Sequence, residues 1–506
     1  MNRLLTLILF TTLSALTTAG AKPKNILFII CDDLNTHVST SGYEAIHTPA
    51  LDTLAKEAMT LSQAFCQYPV CGPSRASLLS GLYPESTGVL DNELDIRQTR
   101  PGTVSLPQHF KQNGYWTAAT GKVFHNEKAD HGEVAWSDGR PWFTNDELPV
   151  VTKARQAFEQ EHGSVDQPQH RQAWRSVMKA VQDPLTAQTP PGHGPSGLRD
   201  EQHMDGKNVR LVASWLKERS FGDKPFFIAL GIQKPHVPFL APDKYFDLYP
   251  PEKIMFHRDR PDLWDSIPRD AISGRFREFG FELGVENAER RKKFMQAYHA
   301  CVSFIDAQIA IVLKQLKDEG LYDDTIIVLT SDHGYHLGDH FLWGKVTLFD
   351  IGARVPLIIR VPGMTAAGSR SDAMVELVDL YPTLSELAGL KAPADLQGMS
   401  LVPLLSGDPN TAVREYAYSV VSRGKHLGRS VRNQDWRYAK WPRGEELYDR
   451  SKDPHERKNL ANDPEYQEHL RKLRAALAER QKAAPIRRTK KVATVTPPDP
   501  KRELAL

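Results

Sequence analysis

Cys71-Gly72-Pro73-Ser74-Arg75 sets a thiol, a proline and a guanidinium within five residues. From the residues alone this reads as a buried cysteine ahead of a helix. Pro73 suits a first helical turn, and Ala76-Ser77-Leu78-Leu79 continues it. So short a match arises by chance in long chains, and its weight depends on what accompanies it. Four further polar clusters do: Asp32-Asp33, Lys122 with His125, His236 within Lys234-Pro235-His236-Val237-Pro238, and Asp332-His333. Taken singly each has a plain reading, since adjacent aspartates are usually turns or caps, a lone histidine is usually a satisfied one, and Lys122 is as readily solvated.

The elements that must position these residues are legible around them. Asn25 to Cys31 is an unbroken apolar run, the pattern of a parallel strand buried on both faces. Tyr115 to Thr120, Pro225 to Leu230 and Asp324 to Thr330 are further strand candidates. Thr48-Pro49 opens a helix containing Leu51, Leu54 and Ala55, and helices are expected around Asn208 to Glu218 and from Gln296 to Leu316. Strands alternating with helices predict an α/β sandwich with a large, mostly parallel central sheet. Each of the four polar clusters then follows a strand. Ligands bind outside the carboxyl ends of the strands in open α/β sheets, so acids, imidazoles and a lysine at four such ends are expected to form one composite site.

The length of 506 residues suggests more than one domain. After about residue 412 the pattern changes to short strands at Ala417 to Val421, Gly428 to Arg432 and Asp435 to Lys440. A helix from Glu465 to Lys482 follows, with Pro464 at its start. The expected division is a signal peptide over 1–21, a catalytic domain over 22–412, a small α+β domain with an antiparallel sheet over 413–484, and a disordered basic tail over 485–506. The stretches Ala129 to Asp205 and Glu252 to Ala288 read as irregular insertions of the kind that shape binding sites. Trp136, Trp142 and Trp174 lie in the first of them, as sugar-stacking platforms or as plain loop packing.

Arg3, the apolar Leu4 to Leu16 and Ala19-Gly20-Ala21 have the three parts of a secretory signal, too short to span a bilayer. No later run is read as a membrane anchor. Four cysteines in the chain do not make a disulfide scaffold, and Cys31 and Cys301 fall in apolar patterns as buried thiols. The absence of any Asn-x-Ser/Thr acceptor argues against a heavily glycosylated lysosomal enzyme. An exported bacterial protein, periplasmic or extracellular, fits better. A net charge of +2 gives no electrostatic footprint for nucleic acid.

On these motifs, from about Lys24 to Asn459, the sequence resembles the type I sulfatases of the alkaline-phosphatase superfamily. Cys31-Asp32-Asp33-Leu34, Cys71-Gly72-Pro73-Ser74-Arg75, Gly121-Lys122-Val123-Phe124-His125 and Lys234-Pro235-His236-Val237-Pro238-Phe239 carry the likeness. So do Ser331-Asp332-His333-Gly334, Trp343-Gly344-Lys345 and Asp379-Leu380-Tyr381-Pro382-Thr383. Within the family it looks most like iduronate-2-sulfatase and its bacterial relatives, because Asp332 is followed by His rather than Asn and Lys122 by Val-Phe-His rather than Trp-His.

The resemblance implies an alkaline-phosphatase-like sandwich and hydrolysis of sulfate esters on a sulfated carbohydrate, with a 2-O-sulfated uronate as one candidate. It implies that a formylglycine-generating maturation enzyme oxidises Cys71 to formylglycine, whose hydrate attacks sulfur. It implies one calcium ion on Asp32, Asp33, Asp332 and His333, completed by residue 71. Carboxylates suit calcium, whereas an imidazole is a less typical donor, so His333 stands at the shell's edge or the site takes other divalent metals. Arg75, Lys122, His125, His236 and Lys345 are the implied catalytic set, supplying fixed positive charge for an anionic ester. His125 is the implied base, and His236 rather than Lys345 the implied acid for the leaving sugar. The alternatives are a phosphonate or phosphate diester hydrolase of the same superfamily, or a silent relative that binds sulfated sugar.

Overall fold

The computed structural model describes residues 24–484 except 127–128, 140, 142, 145–146, 187–191, 256–258, 260–261 and 273–287. The segments read as a signal peptide and as a basic tail, and Trp142, therefore lie outside the described residues.

An apolar run without alternation has no face to give to water, and the first strand sits accordingly at the middle of a sheet. β1 (Asn25–Asp32) is buried along its whole length. Along the chain follow α1 (Pro49–Ala55), β2 (Met59–Leu61), α2 (Cys71–Ser80), β3 (Trp116–Gly121) and β4 (Asp138–Gly139). Next come α3 (Pro149–His162), α4 (Arg171–Thr186), α5 (Met204–Glu218), β5 (Phe226–Pro235), α6 (Ala288–Asp318), β6 (Thr325–Ser331), β7 (Leu357–Arg360) and β8 (Ser369–Ser371). The eight strands form one sheet in the order β8-β2-β7-β6-β1-β5-β3-β4. β6, β1, β5, β3 and β4 run parallel, while β7 is antiparallel to both β6 and β2.

Side chains alternate across a strand, so β1 feeds two cores. Leu27, Ile29 and Cys31 join the layer made by Val209 and Trp215 of α5 and Phe294, Tyr298 and Phe304 of α6. Ile26, Phe28 and Ile30 face the other layer, with Leu78 and Leu79 of α2 and with Leu380 and Tyr381. Among the described residues α6 alone is long and apolar enough to cross a membrane, but most of its apolar window is buried inside the protein. Its composition is that of a core helix. Cys31, Cys66 and Cys301 are buried free thiols.

The C-terminal part is a second, smaller sheet. β9 (Ala417–Arg423), β10 (His426–Arg432), β11 (Trp436–Trp441) and β12 (Gly444–Asp449) pair antiparallel in chain order. α7 (Gln467–Ala483) covers it, burying Leu470, Leu473 and Leu477 with Val420, Val431 and Tyr438. A buried carboxylate joins this unit to the large one. Glu376 accepts from Tyr83 at 2.7 Å, from Arg480 of α7 at 2.9 Å and from the amide of Tyr418 in β9 at 2.7 Å.

The structure corrects the sequence reading in two places and decides a third that the sequence left open. The insertion from Ala129 to Asp205 is not irregular, since it carries α3 and α4, which pack Val151, Met178 and Val181 with Leu148 and Leu198. Their few apolar positions sit among polar residues and prolines, which hid the period. β12, and the short strands β2, β7 and β8, were not anticipated. Trp136 is buried with its indole N–H donating to Asp130, and Trp174 lies against Phe158 at 5.6 Å, so both serve packing.

Candidate active site

β1, β3, β5 and β6 end at one edge of the sheet, and the helix α2 begins there. Val70 is extended and Cys71 is the first residue of α2, where unpaired helical amides favour negative charge. The next amide, of Gly72, donates to Asn92 Oδ1 at 2.9 Å, and a Cβ at position 72 would stand 2.8 Å from that oxygen. Glycine follows the cysteine because Asn92 occupies the space.

The Cys71 thiol, 1% exposed, donates to Asp32 Oδ1 at 3.3 Å, lies 3.3 Å from His333 Nε2 and accepts from Lys345 Nζ at 3.1 Å. Lys345 also donates to Asp33 Oδ1 at 2.6 Å, and Lys122 donates to Asp32 Oδ2. Arg75, one turn along α2, donates from Nε to Asp332 Oδ2 at 2.8 Å and from Nη1 to the carbonyls of Lys122 and Val123. His236 Nε2 is 3.9 Å from Asp33 Oδ2, and its Nδ1 donates to the Val237 carbonyl at 2.7 Å. His125 stands beside the Cys71 sulfur and is one of the groups that lower the thiol. All ten residues singled out in the sequence thus converge on one spot.

One close backbone approach and one left-handed residue make this convergence sterically feasible. At the end of β3, Lys122 runs against β5, where a Cβ on Gly231 would meet the Lys122 carbonyl carbon at 2.2 Å. Asp33 itself has φ of +66, a left-handed conformation that turns its carboxylate back over the sheet edge. Such conformations cost on the order of 1–3 kcal/mol in non-glycine residues and recur at functional sites. Val346, beside Lys345, has φ of +71, rarer still for a β-branched side chain. Lys345 is presented by a hairpin pairing His336-Leu337 with Trp343-Gly344.

Electrostatics follow from burial and from crowding of opposite charges. Burial raises the Cys71 thiol, but Lys122, Lys345 and His333 outweigh it and hold the thiol well below its ordinary value. Desolvation and Cys71 push Asp32 up, whereas Lys122, His236 and Arg75 prevail and keep it ionised. Desolvation disfavours the Lys345 ammonium, yet Asp33, Cys71 and Asp32 hold it well above the usual lysine range. Burial would likewise lower His333, but Asp332 lifts it to about 9.

A divalent cation fits this donor set. One ligand atom from each of Asp32, Asp33, Cys71 and His333 lies within 4.8 Å of the others. Asp33 Oδ2 is buried without a hydrogen-bond partner among the described residues, an arrangement that is costly unless another positive group takes the oxygen. His333 Nδ1 donates to the Gly334 carbonyl at 3.0 Å, which leaves Nε2 for the site. Asp332 stands apart from that quartet, its carboxylate accepting from Arg75 and from the amides of Asp33 and His333 at 3.2 and 2.9 Å.

Sequence reasoning missed the residues that support these groups. Tyr298 of α6 donates to the Asp33 carbonyl at 2.8 Å and accepts from the Asn35 amide at 2.9 Å. Asp205 accepts from the amides of Gln233 and Lys234 at 2.8 and 2.9 Å, and Lys234 Nζ donates to the His236 carbonyl at 3.0 Å. Asn92 accepts from the Gly72 amide at the start of α2. Apart from Lys234, within the His236 motif, none belongs to a local pattern, so no signal in the sequence marks it.

Comparison with known proteins agrees with this geometry. The family model described as Sulfatase matches residues 24–390, and that described as N-sulphoglucosamine sulphohydrolase, C-terminal, matches 338–483. A sulfatase of Formosa agariphila is 34% identical over 90% of this chain and 86% of its own. The iduronate 2-sulfatase of Homo sapiens is 30% identical over 82% of this chain and 84% of its own. Among solved structures, the phosphonate monoester hydrolase of Agrobacterium radiobacter superposes with a TM-score of 0.71 at 22% identity, covering 91% of this chain and 96% of its own, a likeness of fold. A 2-O GAG sulfatase gives a TM-score of 0.68 at 25% identity, covering 92% and 93%. With the fold, the converged polar residues and a family match over most of its length in agreement, this chain belongs to the sulfatase family of sulfuric ester hydrolases in the alkaline-phosphatase superfamily.

Proposed function

We propose that the protein removes sulfate from a sulfated carbohydrate, with residue 71 as formylglycine and a calcium ion on Asp32, Asp33, Asp332, His333 and residue 71. The observation that carries this reading is the burial of Cys71 at a helix start among Lys122, Lys345, His125 and His333, opposite an unpartnered Asp33 oxygen. The formylglycine hydrate supplies a nucleophilic oxygen that can later be eliminated, and calcium supplies Lewis acidity toward a sulfate oxygen. Converting the sulfur to an oxygen donor also makes the set more suitable for calcium.

The chain's own groups do the rest. Lys345 and Lys122 face the sulfate with fixed positive charge, and Arg75 neutralises the acids behind it. His236, a quarter exposed, is the most open of the charged residues paired at the site, as suits a group beside the leaving sugar. Its Nδ1–H is held by Val237, so Nε2–H points inward and delivers the proton that a poor alkoxide leaving group needs. His125, with Nδ1 buried and unpartnered, takes the proton when the enzyme is regenerated.

The iduronate 2-sulfatase and 2-O GAG sulfatase likenesses support a 2-O-sulfated uronate as the substrate class. The first residues support export to the periplasm or medium. The deciding experiment is the mass of the tryptic peptide containing residue 71, from protein co-produced with a formylglycine-generating enzyme. A loss of about 18 Da with sulfate release that Cys71→Ala abolishes is the expected result. Full activity with unmodified cysteine would overturn the mechanism. A second reading, phosphonate ester hydrolysis, is favoured by the Agrobacterium superposition, and paired rates on an aryl sulfate and an aryl phosphonate separate the two.

A further inference from the structure

Val346 holds the backbone next to Lys345 in the left-handed region, and two hydrogen bonds from different parts of the molecule grip it there. Its amide donates to the Pro69 carbonyl at 3.1 Å, two residues ahead of Cys71. Its carbonyl accepts from Arg423 Nη2 at 2.7 Å. Arg423 is the last residue of β9 in the C-terminal sheet. Its other hydrogen bonds run from Nε to the Asp270 carbonyl at 2.7 Å, from Nη2 to the Ala271 carbonyl at 3.5 Å and from Nη1 to the carbonyl of its neighbour Ser422 at 3.0 Å. The guanidinium rests over the Trp441 ring at 5.2 Å.

A planar fork of donors aimed at carbonyls of three segments is a device for fixing backbone, not for binding an anion. A strained conformation persists only where its surroundings over-determine it, and here the surroundings are the nucleophile's own loop on one side and Arg423 on the other. We infer that Arg423 is a positioning residue of the active site, through which the C-terminal sheet holds Val346 and so fixes the Lys345 ammonium between Asp33 and residue 71. The small sheet is thereby a working part of the site, although it contributes no group to the reacting atoms. The inference rests on the role given to Lys345 above.

The test is a double-mutant cycle on matured full-length protein, with residue 71 verified by mass in every variant. Arg423→Gln is expected to lower kcat/KM on an aryl sulfate by about tenfold or more, and to cost less than about threefold when Lys345→Gln is already present. An equal cost in both backgrounds, or no cost, overturns the inference, since a merely structural arginine acts regardless of Lys345. If Arg423→Gln does not fold, Arg423→Lys, which keeps the charge and the stem over Trp441 but loses the fork, replaces it. Amide hydrogen exchange is read in parallel. The segment 341–350 is expected to exchange faster in the variant, with β1 and β6 unchanged. Should matured wild type release no sulfate, the functional reading falls, and exchange alone decides the positioning: faster exchange in 341–350 sustains it and unchanged exchange overturns it.

Discussion

Arg75 Nε donates to Asp332 Oδ2 at 2.8 Å, and both side chains are buried. The pair ties the helix that begins at Cys71 to the end of β6, across 257 positions of sequence. Breaking a buried pair on one side leaves the other charge uncompensated, which typically costs about 3–5 kcal/mol. Arg75→Gln is expected to lose stability of that order in urea unfolding. Arg75→Lys keeps the charge but not the fork that also reaches the Lys122 and Val123 carbonyls, and falls between the two.

Metal binding should be visible without turnover. Calcium at a hundredfold excess over its Kd raises unfolding free energy by about 2.7 kcal/mol, so a chelator lowers Tm and calcium restores it. Asp33→Asn is expected to remove that response, because it takes the charge from a carboxylate whose Oδ2 is buried without a hydrogen-bond partner among the described residues. A calcium-induced Tm shift of unchanged size in Asp33→Asn would place the ion elsewhere.

Proton delivery by His236 predicts a dependence on the leaving group. His236→Gln should slow a sugar sulfate by about 10²–10⁴ and a nitrophenyl sulfate, whose phenolate needs little help, far less. Equal losses on both substrates would remove His236 from the acid role and leave Lys345 as the candidate.

Buried histidines are expected to weaken the fold toward acid. Burial pushes His131, stacked on Phe124 at 4.5 Å, and His203, 2.8 Å from Ser196 Oγ, from 6.5 to about 4. Between these values the unfolded chain binds protons that the folded one does not. Stability is therefore complete above pH 6.5 and falls as pH drops toward 4, by up to about 3 kcal/mol for each group. His203→Gln should flatten the slope of unfolding free energy against pH by up to one proton in that window, as urea titrations at successive pH values would record.

The sequence by itself determined the central strands and most of the polar residues of the candidate site. An apolar run such as Ile26 to Ile30 has only one place to go, and a polar cluster directly after a parallel strand lies at the sheet's carboxyl edge whatever the loops do. Asp32, Lys122, His236 and Asp332 were legible for that reason. Lys345 follows no strand of the large sheet and was marked by family likeness alone; its place, 3.1 Å from the Cys71 sulfur, depends on a hairpin and a strained turn. Tertiary structure alone decided Asn92, Tyr298 and Arg423, each of which acts on backbone atoms from a distant segment. It also decided β2, β7 and β8, three or four residues long, because strands so short are defined by their neighbours. The two helices α3 and α4 escaped notice because a mostly polar helix leaves few apolar residues from which to read its period.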